Sequence, residues 1–143
     1  MKNIVVLAAF CFALIPTPIA QAESNASEKW AAFSTTAMSI TGDIEVSPTA
    51  ITMSTGSVLP IEAVKGDIPH LYRFTGADKL KLIRDNSFCM TNTTDGYIVL
   101  SYPTADELSM NVFQGDSPPV SDSNLDSQPN LCAIYNYQKP QAE

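Results

Sequence analysis

From Met38 to Val46 the chain alternates without a break. Met38, Ile40, Gly42, Ile44 and Val46 are apolar or glycine, and the residues between them, Ser39, Thr41, Asp43 and Glu45, are polar. A period of two places one set of side chains on a single face of an extended chain, which predicts a half-buried strand. The same alternation groups Ile51 with Met53, Leu59 with Ile61 and Ala63, Leu80 with Leu82, and Leu108 with Met110 and Val112. The run from Tyr97 to Tyr102 is apolar at most positions, as expected of a central strand covered on both faces.

Turn chemistry separates these runs at short intervals: Ser47-Pro48-Thr49, Ser54-Thr55-Gly56-Ser57, Lys65-Gly66-Asp67 with Pro69, Thr75-Gly76-Ala77-Asp78 and Thr94-Asp95-Gly96. Such punctuation predicts an antiparallel meander. Gly56 is expected to turn a hairpin between Ile51 to Met53 and Val58 to Ala63, and Asp95-Gly96 another that feeds Tyr97 to Tyr102. One helix is expected, from Ser24 or Ser27 to about Thr35, with a serine cap, Glu28 in its first turn, and Trp30, Phe33 and Ala37 on one face. From Gln114 to Asn130 the residues shift to Ser, Asp, Asn and Pro, with Pro118-Pro119 and Pro129 blocking any ladder. This reads as a long acidic loop before the last strand, and loops of that length are usually functional or loosely ordered. The fold expected is an all-β antiparallel barrel of about eight strands, because a chain of short hairpins must hide its edges; a two-sheet β-sandwich is the alternative.

Composition changes at the start of the chain. Lys2, the apolar run Ile4 to Ile15 and the small residues of Ala20-Gln21-Ala22 form a signal peptide over residues 1–22, with the mature protein starting at Glu23. The apolar run is shorter than a membrane span needs, and Pro16 and Pro18 stand directly beyond it, so no stable anchor is expected. The remainder, residues 23–143, has the size of one domain. All 15 acidic residues lie beyond the leader and only Lys2 of the 8 basic ones is lost with it, so cleavage makes the net charge of -7 one unit more negative. Such a surface repels phosphate, which disfavours nucleic acid and anionic membranes as partners.

Cleavage also removes Cys11 and leaves Cys89 and Cys132, an even pair in an oxidising compartment outside the cytoplasm. A Cys89 to Cys132 disulfide is predicted. It closes a 43-residue loop, an unfolded-state restriction of about 4 kcal/mol in the loop-entropy model. The wide spacing marks it as structural rather than redox-active.

The search for chemistry is mostly negative. His70 is the single histidine, which excludes a two-histidine metal site, and no G-x-S-x-G is present. The stretch from Asp122 to Asp126 opens like a calcium loop, but Ser127 stands where the turn glycine belongs and Ala133 where the closing glutamate belongs. No catalytic residues, metal or cofactor are assigned. Tyr97, Tyr102, Tyr135 and Tyr137 fall on expected strands, with Tyr135 and Tyr137 sharing a face that covers a core or, on an edge strand, faces outward as a contact surface.

Asn86-Ser87-Phe88-Cys89 followed by Leu131 to Tyr137, with Ala37 to Ile44 near the start, resembles small uncharacterised secreted proteins of Gram-negative bacteria, a group from which no activity transfers. The chain shares size and leader with bacterial lysozyme-inhibitor and metalloprotease-inhibitor barrels, but not their signature loops or cysteine spacing. The expected function is that of an exported, non-enzymatic binding protein, such as an inhibitor of an exported or foreign hydrolase. Asp116, Asp122, Asp126, Tyr135 and Tyr137 are its candidate contact residues, and its partner is a protein or a small ligand. A barrel that carries a small ligand, or a subunit of an extracellular assembly, are the alternatives.

Overall fold

In the computed structural model, which describes residues 26–89 and 92–142, eight antiparallel strands close into a barrel. They are β1 (Glu28–Ala32), β2 (Ile44–Val46), β3 (Ala50–Met53), β4 (Val58–Ala63), β5 (Leu71–Phe74), β6 (Gly96–Ser101), β7 (Glu107–Gln114) and β8 (Leu131–Gln138). Each strand pairs with the next, and β8 returns to β1. Residues 1–22, the segment expected to be a signal peptide, lie outside the described residues.

Two strands make the corners. In β1, Glu28, Lys29 and Trp30 pair with β2, while Ala31 and Ala32 pair with Gln138 and Tyr137 of β8. β4 divides in the same way, pairing with β3 through Val58 to Pro60 and with β5 through Ile61 to Ala63. Changing partner within one strand lets a short sheet close on itself, and closure removes the exposed edges that invite aggregation.

The period of two sets what lies inside. Ile51, Met53, Leu59, Ile61, Ile98, Leu100, Leu108, Met110, Val112, Tyr135 and Tyr137 are buried in one cluster. Trp30 and Phe74 complete it, so the barrel axis is occupied by side chains. A second cluster lies on the outer face of the wall, where Leu71, Tyr97, Val99 and Phe113 are covered by Val64, Ile68, Leu125 and Leu131. Strand β6 is therefore buried on both faces, as its nearly continuous apolar run predicts.

The structure corrects the expectation at four places. Where a helix from Ser24 or Ser27 to Thr35 is expected, Glu28–Ala32 form β1, within which Trp30 is buried, while Phe33 beyond it is 60% exposed; Ser24 lies outside the described residues. The helix, α1, runs from Thr35 to Ile40 and so takes the first half of the alternating stretch that begins at Met38. Ser34 caps α1 by accepting the Ala37 N–H at 3.2 Å, and Gly42 ends it at a φ of 64°, donating to the Ala37 carbonyl at 2.8 Å. A Cβ on Gly42 would stand 2.1 Å from the Ser54 hydroxyl. Only Ile44–Val46 of that stretch is strand.

Leu80 and Leu82 belong to no strand. They lie in the long β5–β6 connection, beside two short 3-10 turns, and both still face the main cluster. Asp95-Gly96 does not turn a hairpin: Gly96 is the first residue of β6, paired with Phe74 on one side and Gln114 on the other. A glycine is required there by close approach, because a Cβ would stand 2.1 Å from the Phe113 carbonyl oxygen and 2.7 Å from the Phe74 ring. The hairpin at Gly56 is formed as expected, between β3 and β4, with its N–H donating to the Met53 carbonyl at 2.9 Å.

The two ends of the barrel differ. One is plugged by α1 and the β5–β6 connection, from which Ala77, Leu82, Phe88 and Cys89 enter the main cluster. Cys89 and Cys132 lie at disulfide distance there, with their Cα atoms 5.3 Å apart, tying the plug to β8. The other end carries the short β2–β3, β4–β5 and β6–β7 loops and the outer ends of β1 and β8.

Candidate functional site

The candidate contact residues separate into two groups. Tyr135 and Tyr137, both on β8, point into the barrel and are 0% and 1% exposed. Tyr135 stacks on Phe88 at 5.5 Å and donates its hydroxyl to the Phe88 carbonyl at 2.5 Å. Tyr137 and Thr41 share a hydrogen bond of 2.8 Å between their hydroxyls. Burial raises the pKa of both phenols well above the ordinary tyrosine value. Because β8 is paired on both sides, its period-two face turns inward, and the two tyrosines fasten the plug to the wall instead of presenting an outer contact surface.

The three aspartates, by contrast, stay outside on the loop of residues 115–130. That loop is built, not loose. Its base is closed by the Gln114 N–H on the Asn130 carbonyl at 2.9 Å, and Asn130 accepts the left-handed φ of 69° that the turn requires. Its first turn is fixed to the wall: Tyr97 donates its hydroxyl to the Asp116 carbonyl at 3.3 Å, and Arg73 reaches both the Tyr97 hydroxyl, at 3.2 Å, and the Asp116 carboxylate, at 3.5 Å. The Arg73 to Asp116 pair is exposed and contributes little stability, but it orients the entry to the loop.

The middle of the loop is organised by one amide. Gln128 donates to the carbonyls of Ser121 and Ser123 at 2.6 and 3.0 Å and accepts the Val120 N–H at 2.8 Å. A 3-10 turn, Leu125–Ser127, then drops Leu125 onto the outer cluster, and Pro119 is buried. Val120 is left outward, 85% exposed, and Asp116, Asp122 and Asp126 are exposed on the same loop. A branched, exposed apolar side chain on an acidic loop already held in one shape suits a partner with a small apolar pocket in a basic surface. Proline and serine in this stretch suggest a loop; the organising role of Gln128 has no signature in the sequence.

Among the described residues no group of three His, Cys, Asp or Glu side chains converges to hold a metal. Asp122 and Asp126 are exposed on the loop, with Leu125 between them packed inward. Nor is any helix of the described residues long and apolar enough to cross a membrane.

His70 lies at the opposite end of the barrel. It heads the β5 strand with a φ of 54° and meets the edge of the Tyr102 ring at 5.2 Å. Tyr102 in turn lies 6.0 Å from the ring of Trp30, so the single histidine and the single tryptophan are joined through one tyrosine. With Tyr72 they line an open cleft of about 510 Å³. Period-two reasoning missed this group, since its members come from β1, from the residue before β5 and from the residue after β6, and no spacing links them.

Compared with known proteins, the chain matches no family model, no curated protein and no solved structure, so its function is argued from geometry alone.

Proposed function

We propose that this chain is an exported, non-enzymatic binding protein that uses the 115–130 loop to engage a partner protein through a basic surface, in the manner of an inhibitor of an exported or foreign hydrolase. The observation that carries the reading is Val120. An apolar side chain left 85% exposed, on a segment whose backbone is held by the Gln128 amide, is offered to a partner in a shape already set, so little ordering cost remains on binding. The aspartates of the loop and the acidic charge of the chain favour encounter with a cationic face.

The alternatives draw less support. The barrel axis is filled by Trp30, Phe74, Tyr135, Tyr137 and the aliphatic residues between them, where a carrier of an apolar ligand needs interior space. A closed ladder offers no strand edge for a neighbouring subunit to extend, which weighs against assembly by strand addition.

Pull-down from periplasmic extract, followed by inhibition assays on lysozyme-type and protease-type hydrolases, tests the reading. Val120→Asp and Gln128→Ala are each expected to weaken capture by ten-fold or more, a loss of roughly 1.4 kcal/mol at a central contact. Partner capture that survives deletion of residues 117–128 would refute the assignment of the loop.

A further inference from the structure

The cleft at the end of the barrel opposite the plug has a chemistry of its own. Its floor is Trp30, its rim is Tyr102 and Tyr72, and its charged residues are Glu28 and Lys139. Lys139 follows the last strand, and its ammonium stands 4.1 Å from the centroid of the Trp30 ring and 3.5 Å from the Glu28 carboxylate. An ammonium held between an aromatic face and a carboxylate is the standard arrangement by which proteins recognise organic cations. Here the cation belongs to the chain itself.

We propose that this cleft is a binding site for an ammonium group and that Lys139 occupies it as an internal competitor. Two observations support a site over a simple surface contact. With Lys139 in place on its wall the cleft still measures about 510 Å³, within the range of small-molecule sites. The Lys139 main chain is fixed independently, its N–H donating to the Asp106 carbonyl at 2.8 Å, so the 39% exposed side chain can swing away without disturbing the barrel.

Charge selects the ligand. With Lys139 swung out, Glu28 is the acidic group left among the lining residues. Its field already reaches Tyr102, whose phenol is raised above the usual tyrosine value by burial first and by Glu28 second. A monocation therefore replaces Lys139 with like charge, whereas an anion would meet the Glu28 carboxylate. The site is distinct from the 115–130 loop, which lies beyond the other ends of β7 and β8.

Trp30 is the single tryptophan of the chain, so its fluorescence reports a change at this cleft without interference from a second indole. The whole chain, at constant ionic strength, is titrated with tetramethylammonium, with N-acetyl-lysine methylamide, and with 3,3-dimethylbutanol as a neutral probe of similar shape. Saturable change is expected with an ammonium probe and not with the alcohol. Tetramethylammonium alone points to a free small cation as the ligand, and a lysine amide of equal affinity points to lysine side chains. Lys139→Met is expected to tighten ammonium binding about five-fold by removing the competitor, and Glu28→Gln to weaken it about five-fold, as a partly exposed cation–π contact or ion pair would imply. Val120→Asp should leave all of these titrations unchanged, which separates this site from the loop. An equal response to the neutral alcohol, no saturable ammonium response in Lys139→Met, or no gain from that substitution would overturn the proposal.

Discussion

Replacing both Cys89 and Cys132 with alanine tests how the plugged end of the barrel is held. The bond joins residues 43 apart, so its loss frees the unfolded chain by about 4 kcal/mol in the loop-entropy model. Against the 5–15 kcal/mol margin usual for a domain, about 4 kcal/mol is a large fraction. For a domain of this size the melting temperature should fall by roughly 12–16 °C. None of the ladder pairings passes through the sulfurs, so the barrel should still close, and the far-ultraviolet circular dichroism of the variant should match that of the native protein. Native contacts at the plug also survive: Phe88 keeps its stack on Tyr135 and its edge contact with Phe74 at 5.7 Å. In urea the midpoint should drop while the slope rises, because an unfolded chain without the crosslink exposes more surface. Oxidised and reduced native protein should differ in the same sense as native and double variant. The reasoning fails if the double variant melts within about 3 °C of the native protein, or if both thiols of the folded, oxidised protein react with a thiol reagent.

Other consequences are smaller and equally specific. Gly96→Ala forces a methyl group against the Phe113 carbonyl and the Phe74 ring, and should lower stability by about 1–3 kcal/mol in chemical denaturation, the usual cost of overpacking. Tyr137→Phe removes the hydroxyl bonded to Thr41 and should cost about 1 kcal/mol, readable as a shift of the urea midpoint. Tyr135 and Tyr137 titrate higher in the folded than in the unfolded chain, so the stability they contribute is whole below pH of about 10 and is lost as pH rises beyond it. Phenolate absorbance should then appear for these two only together with unfolding, and early, reversible ionisation of all the tyrosines would contradict their burial. Val120→Asp should change the melting temperature by no more than about 2 °C, since substitutions at exposed positions rarely move stability by more than about 0.5 kcal/mol.

Much of the wall was readable before any coordinates, and the reason is physical. Ile51 with Met53, Leu59 with Ile61, and Leu108 with Met110 and Val112 alternate because one face of each strand meets the core, and they lie inside as predicted. Alternation misled where local capping outweighed it. Ser34 and Gly42 bracket a six-residue helix whose outward Met38 happens to fall on the same parity as the buried Ile44. Near the start, a serine and an early glutamate imitate a helix N-terminus, but the barrel needs a strand between β2 and β8, and tertiary pairing overrides so weak a signal. For the candidate sites, acidity and prolines exposed the loop, whereas the Gln128 contacts that shape it and the meeting of Trp30, His70 and Tyr102 depend on pairings across the barrel that no local pattern records.

The seam between β1 and β8 governs how the chain can reach this structure. Ser34 accepts a hydrogen bond from the main chain of Asn136, 102 residues later, and the strands on either side zip at that same place. A growing or partly threaded chain therefore has no closed form: until β8 arrives it is a curled sheet with two raw edges and its apolar inner face on view. Folding should be slow for so small a domain, since its deciding contact is nearly as distant in sequence as the chain permits. It should also be intolerant of losing either β1 or β8, which opens the cylinder instead of shortening it.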